Sequence, residues 1–215
     1  MVEIAEDKFK IALIDLLRLL MMHEHTAAHI LNRHWNTIEV TIFGYLECMD
    51  IKDTSADARV MHNYHLVCLK MLANIYLTES GKDFMQGDDA SAALIKFCQY
   101  SIQSITPKVV FHAAILLFNH VLCYKRDKSN ISQLLENALL KINELFADSS
   151  LVDFEASIAL LLCECRILYS NKWICERITE KFEDIFKKNH QILELRVKNQ
   201  KVKEAIDDVF MMLFD

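Results

Sequence analysis

Nine histidines, seven cysteines and a few adjacent carboxylates are the residues of this 215-residue chain whose types could do chemistry. His25 and His29 stand four apart, with His23 and His34 nearby, and His62 and His65 stand three apart. On a helix either spacing puts two imidazoles on one face, but zinc needs three or four ligands in a tetrahedral set. The chain has no HExxH and no CxxC, and Cys163 and Cys165, two apart, would face different sides of a helix. These histidines read as solvated or hydrogen-bonded groups, and no metal or cofactor is expected. Nucleophilic chemistry fares no better. There is no GxSxG elbow, no phosphate loop and no kinase signature, and three glycines leave nowhere for backbone amides to cradle a phosphate. Asp88-Asp89 and Asp207-Asp208 lie in polar stretches, where helix-capping and solvent-facing carboxylates belong. The expectation is a protein that is not an enzyme.

A different set of polar residues stands where polarity is most costly. Four stretches, 11–22, 66–77, 109–123 and 157–168, are more apolar than one amphipathic face requires. Asp15 and Arg18 interrupt the first, three apart; Lys70 and Asn74 interrupt the second, four apart. His112 and Asn119 share a face through Ile115 in the third, and Arg166 shares one with Glu155, Leu162 and Tyr169 in the fourth. A lone buried cation is strongly disfavoured, so such side chains either pair internally or open onto a groove. In the first case Asp15–Arg18 is an internal ion pair and the asparagines tie down neighbouring backbone. In the second, one polar face per apolar helix forms a ladder. Asparagine amides can bond a peptide backbone while cations meet carboxylates, which suits an extended acidic peptide. The run Lys187, Lys188, Arg196, Lys198, Lys201 and Lys203 is either a basic patch or a solvated helix face.

The elements that must hold these residues are helices. Apolar residues make up 53 % of the chain, yet it contains 3 Gly and 1 Pro, where average usage gives roughly fifteen and ten. Sheet turns and dinucleotide loops need those residues, so an all-α protein is predicted. The apolar period places helices at about 6–23, 26–32, 34–48, 58–78, 88–104, 107–124, 130–146, 150–170, 172–188 and 192–213. Residues 50–55 read as a loop, Gly81 and Gly87 as flanking a short turn, and 127–130 as a link. Thr106-Pro107 reads as a capping residue followed by first-turn proline. The most apolar run, Val109 to Tyr124, contains His112, Asn119 and His120 and is too short to span a bilayer. Net charge is −6, split as −5 in residues 1–106 and −1 in 107–215, which argues against general nucleic-acid binding. The seven cysteines (48, 68, 98, 123, 163, 165 and 175) each sit in an apolar stretch, as small hydrophobes in a reducing compartment do. The polar, acidic N-terminus MVEIAEDK has no secretory pattern, and a helix follows within a few residues, as in an excised fragment.

Leu17, Leu69, Leu116 and Leu162 sit at comparable points of the four apolar stretches, 52, 47 and 46 residues apart. Periods in this range mark armadillo or HEAT arrays, where each unit buries its apolar face against its neighbours. The expected architecture is an armadillo/HEAT-like, right-handed superhelical solenoid of about four to five repeats. Residues 1–215 would form one domain, its first interval stretched by the 50–57 loop.

At these helices the chain resembles the PUL domain, an armadillo-like module of the phospholipase-activating protein family, whose members include the fungal ubiquitin-homeostasis factors. The resemblance rests on ALIDLLRL (12–19), LKMLAN (69–74), AILLFNHVLCYKRD (114–127) and EASIALLL (155–162), with GKDFMQ (81–86) also similar. Order and spacing carry it, over about residues 9–170. It implies that the chain lacks the first helices of a full domain of this kind. It implies further a basic concave groove that binds the acidic C-terminal tail of the hexameric AAA ATPase valosin-containing protein. The domain would link that ATPase to ubiquitin-dependent proteasomal degradation and ubiquitin recycling, in cytoplasm and nucleus, with ubiquitin contacts made by other domains of a full chain. Carried over residue by residue, the peptide-binding positions are Arg18, Lys70, Asn74 and Asn119, with His112 and Arg166 as outer members. Neither a nucleic-acid nor a membrane partner is implied. The alternative is a structural helical-repeat scaffold with no groove ligand.

Overall fold

With so few residues able to interrupt it, the 3.6-residue apolar period runs into long helices. The computed structural model describes residues 2–47, 53, 56–125, 129–147, 153–196 and 199–214. Among these, the elements are α1 (Val2–Leu20), α2 (Glu24–Glu47), α3 (Ala56–Asn74), α4 (Glu79–Phe84), α5 (Asp88–Ser101), α6 (Pro107–Cys123), α7 (Ser129–Ala147), α8 (Phe154–Ser170), α9 (Lys172–Arg196) and α10 (Gln200–Phe214). One 3₁₀ turn, Ile75–Leu77, extends α3, and no strand occurs among the described residues. The predicted all-α class is what the chain adopts. No helix among the described residues is long and apolar enough to cross a membrane.

The helices pack in an ordered way. α1, α3, α6, α8 and α10 lie each against the next and form one layer; α5, α7 and α9 pack in sequence as a second. Contacts α5–α6, α7–α8, α8–α9 and α9–α10 join the layers, and α2 packs on α4. The four stretches read as over-apolar are therefore consecutive members of one layer. α6 shows why that excess is needed: Val109, Val110, Ala113, Ala114, Leu116, Leu117 and Val121 are all buried, covered by α3, α5 and α8. α1 departs from the expectation that each would be covered on most sides. Ile14 and Met21 are buried, but Leu13, Leu16, Leu19 and Leu20 are exposed. Of the four marker leucines, Leu69 and Leu116 are fully buried, whereas Leu162 is exposed and Leu161 beside it takes the core position.

Several boundaries differ from the pattern, each for a local reason. The break expected at residue 33 does not exist. Leu31 and Trp35 are both buried, one turn apart, so Asn32, Arg33 and His34 fall on the exposed side of a continuous α2. Residues 81–86 are not simply a turn, because Thr78 adopts an extended backbone and its Oγ1 accepts a hydrogen bond from Gly81 N at 3.2 Å, starting α4. Gly81 is required there: a Cβ on it would lie 1.9 Å from the Ile75 carbonyl oxygen. Thr106 holds the N-cap position before Pro107, but its side chain does not cap; Oγ1 instead lies 3.1 Å from His62 Nδ1. α9 runs to Arg196, well past the expected end at 188. The expected loop 50–55, apart from Asp53, lies outside the described residues, as do Asp127 and Lys128 of the expected 127–130 link, whose Ser129 and Asn130 are already the first turn of α7.

Buried polar groups brace the layers, each with a partner far along the chain. Tyr76 Oη and Ser91 Oγ each lie 2.8 Å from a nitrogen of His120, joining the 3₁₀ turn, α5 and α6. His65 Nε2 meets Ser101 Oγ at 2.8 Å between α3 and α5. Gln86 Nε2 donates to Cys123 O at 2.8 Å, and its Oε1 accepts from Lys125 N at 3.0 Å, fastening the end of α6. Glu136 is buried in α7 and receives Arg177 Nε from α9 at 2.6 Å. His190 Nε2 lies 2.9 Å from Glu164 Oε2, and Nδ1 donates to Phe186 O at 2.7 Å. Burial alone would lower the pKa of His190, but the charge and hydrogen bond of Glu164, with the Phe186 carbonyl, hold it above its ordinary value.

Candidate functional site

The six positions singled out from sequence lie on α1, α3, α6 and α8, four consecutive members of one layer. On α1, Arg18 Nε contacts Asp15 Oδ1 at 2.7 Å, with the side chains 28 % and 49 % exposed. The pair is solvent-screened and worth under about 1 kcal/mol. Asn74 reaches across from α3 and donates from Nδ2 to Arg18 O at 2.8 Å, satisfying a carbonyl near the α1 C-terminus. One turn earlier on α3, Lys70 is exposed and forms no ion pair among the described residues.

On α6 the local electrostatics are unbalanced. His112 is half-buried, and its pKa is lowered first by that burial and then by the positive charges of Lys70 and Lys108. Lys108 lies one helical turn before His112 and is exposed, while Lys70 comes from the neighbouring helix α3. Asn119 lies two turns further on, half-buried, and makes no hydrogen bond among the described residues. Ile115 and Phe118 between them are also half-buried, so this face of α6 mixes apolar surface with solvent-reachable polar groups.

On α8, Arg166 stacks its guanidinium 5.7 Å from the Tyr169 ring centroid, and its Nε is buried without a hydrogen-bond partner. It lines a cleft of about 630 Å³ where the C-terminal ends of α6 and α8 meet the starts of α7 and α9. Leu122, Lys125, Tyr169, Lys172 and Trp173 line it too. Arg177 lies over Trp173, 5.3 Å from the ring centroid, and is anchored by Glu136. The chemistry on offer is cation plus aromatic surface, suited to an anionic group attached to an apolar body.

Thus two predicted positions, Arg18 and Asn74, are joined by a hydrogen bond, and two more, Lys70 and His112, interact through charge. Asn119 and Arg166 share the layer without direct contact to the others among the interactions described. Sequence reasoning missed Lys108, whose one-turn spacing from His112 was legible, and Lys125, Lys172 and Trp173, which meet only where the ends of α6 and α8 come to the starts of α7 and α9. Of the C-terminal basic run, Lys187, Arg196 and Lys203 are answered locally, Lys188 and Lys201 are exposed without an ion pair among the described residues, and Lys198 lies outside the described residues. Lys187 pairs with Glu183, Lys203 Nζ lies 3.5 Å from Glu194, and Arg196 Nη2 donates to Ala147 O at 2.9 Å. The histidine groupings are separated too: His25, His29 and His34 are exposed on α2, whereas His62 and His65 bond Thr106 and Ser101. The described cysteines are free thiols, and burial pushes Cys68 and Cys165 up to about 12.

Helices in two layers, with Lys70, Lys108 and Lys125 exposed, make an all-helical domain with a polar, partly cationic face. The comparisons narrow the class: the family model of the PUL domain matches residues 6–208, and the chain belongs to that family of helical protein-binding domains. No curated protein and no solved structure matches the chain.

Proposed function

We propose that this PUL domain is a non-enzymatic adaptor that binds the acidic C-terminal tail of the hexameric AAA ATPase valosin-containing protein, serving ubiquitin-dependent degradation and ubiquitin homeostasis in cytoplasm and nucleus. In this reading the layer α1–α3–α6–α8–α10 is the concave side of an armadillo-like, right-handed superhelix of four to five repeats, and the tail runs across it. Arg18, Lys70, Asn74, His112, Asn119 and Arg166 are the contacts.

The observation that carries the proposal is the Lys70–Lys108–His112 group. Lys70 and Lys108 are exposed, without an ion pair among the described residues, and close enough to His112 to depress its pKa. Uncompensated positive charge is where an acidic strand gains most, with an on-rate and affinity that fall with salt. Half-buried Asn119 supplies an amide for the peptide backbone.

A scaffold reading, with polar positions as internal glue, is favoured locally by Asn74 bonding the Arg18 carbonyl and by the Asp15–Arg18 pair. Lys70→Glu separates the two. Adaptor function predicts loss of binding to a fluorescent acidic tail peptide, titrated at low and high salt, with the thermal midpoint unchanged because Lys70 touches no carboxylate. Salt-independent or unaltered binding, or a fall in thermal midpoint, would refute the adaptor reading at this position.

A further inference from the structure

We propose that the cleft where the ends of α6 and α8 meet the starts of α7 and α9 binds a phosphotyrosine side chain of a partner protein. The inference shares only Arg166 with the tail reading and does not rest on it. The lining is one-sided in charge. Lys125, Arg166 and Lys172 reach it and no carboxylate does among the described residues, in a chain whose net charge is −6. Two of these cations are unanswered there. Arg166 has a buried Nε with no hydrogen-bond partner, and Lys125 is exposed at the end of α6. Glu79 feels the charge of Lys125 but is bonded to Lys82, at 2.5 Å. Lys172 already meets Glu176 at 3.5 Å, with both side chains largely in solvent.

The unanswered charge selects the anion. One carboxylate brings a single charge and two oxygens. A phosphate monoester brings about −1.5 to −2 at neutral pH and three acceptor oxygens, enough for a guanidinium and an ammonium together. The walls select what carries the phosphate. Val121, Leu122, Ile131 and Leu135 supply apolar surface, and the rings of Tyr169 and Trp173 are 74 % and 45 % exposed. A guanidinium lies near each ring, Arg166 at Tyr169 and Arg177 at Trp173, which holds both rings in place. A flat aromatic body between phosphate and backbone reaches this surface, whereas the one-carbon arm of phosphoserine does not.

The rest of a peptide has somewhere to go. At Ser132 and Trp173 the cleft adjoins a second one of about 470 Å³, which Ser129 and Gln133 also line. Hydroxyls and a carboxamide are uncharged groups that can bond a peptide backbone, so a chain leaving the cationic cleft over Trp173 meets partners suited to it. Membership in a family of protein-binding domains fits a peptide rather than a free nucleotide.

Fluorescence anisotropy of the whole chain with a dye-labelled, otherwise uncharged phosphotyrosine peptide tests this. The peptide is expected to bind about tenfold tighter, or more, than versions carrying tyrosine, phosphoserine or two adjacent glutamates at that position. Binding should change tryptophan emission, because Trp173 is half-exposed while Trp35, the other tryptophan, is buried; Trp173→Phe should remove the change. Lys125→Glu should weaken binding about tenfold and leave the thermal midpoint in place, since that side chain is exposed and forms no ion pair among the described residues. Lys125 is outside the positions assigned to the tail, so this outcome is read separately from the tail reading. Equal binding of any comparison peptide overturns the proposal, as does unmoved tryptophan emission or wild-type affinity in Lys125→Glu. Displacement of the peptide by adenosine monophosphate at lower concentration than by phenyl phosphate would make the cleft a nucleotide site and overturn it too.

Discussion

Lowering the pH should unfold this protein through two buried histidines. Burial pushes His65 and His120 down from 6.5 to about 4, with the neighbouring His62 adding to the effect on His65. The geometry agrees, since His120 is held between the hydroxyls of Tyr76 and Ser91, and His65 against Ser101, with no carboxylate bonded to either ring among the described residues. The unfolded chain takes up both protons as the pH falls below 6.5, whereas the folded chain resists until about 4. Stability present above pH 6.5 is therefore lost across that window. At 1.36 kcal/mol per pKa unit each ring removes about 3–4 kcal/mol, and the two together about 7 kcal/mol, against a typical total of about 5–15 kcal/mol. His190 acts in the opposite sense: its raised pKa contributes stability that is complete below pH 6.5 and fades as the pH rises, so it leaves the acid slope to the other two. Urea unfolding followed by far-UV circular dichroism should show stability falling by about 3 kcal/mol per pH unit between about pH 6 and 4.5. His120→Gln, which keeps a polar group near Ser91, should halve that slope. Stability that stays flat across the window, or a slope that His120→Gln leaves intact, would refute the reasoning.

Two further outcomes concern the groove and the turn before α5. If an acidic tail lies beside His112, its carboxylates oppose the Lys70 and Lys108 charges that depress this ring, so binding takes up a proton. Peptide affinity measured above the acid transition should rise as the pH is lowered toward 6.5, and His112→Ala should remove that rise. Gly81→Ala should destabilise by about 3 kcal/mol, measured by the same urea titration, because the added methyl meets the Ile75 carbonyl oxygen at 1.9 Å and α4 must shift.

Much of the architecture was legible because it is local. Scarcity of Gly and Pro ruled out turn-rich folds, and the 3.6-residue period located, in some form, nine of the ten α-helices among the described residues. The missed one, α4, is six residues long and depends on the Thr78 cap and on Gly81 leaving room for the Ile75 carbonyl. The polar positions were also visible, since an Arg or Lys inside an apolar helix is costly wherever it sits. Their fates were not. Lys70, Asn74 and Arg18 interrupt similar stretches, yet Lys70 is open to solvent, Asn74 binds backbone of another helix, and Arg18 pairs with Asp15.

By itself the sequence determined helix content, most helix positions and which residues would need a partner or water, because these follow from dihedral preference and the cost of desolvation over a few residues. Only the tertiary structure decided who the partners are. Tyr76 with His120, Glu136 with Arg177 and Glu164 with His190 are separated by 44, 41 and 26 residues. It decided, too, that the leucine-rich second half of α1 keeps Leu13, Leu16, Leu19 and Leu20 exposed, whereas α6 is covered on several sides. A helix carries the period of its burial in its own residues, but the number of neighbours that cover it is a property of its place in the stack.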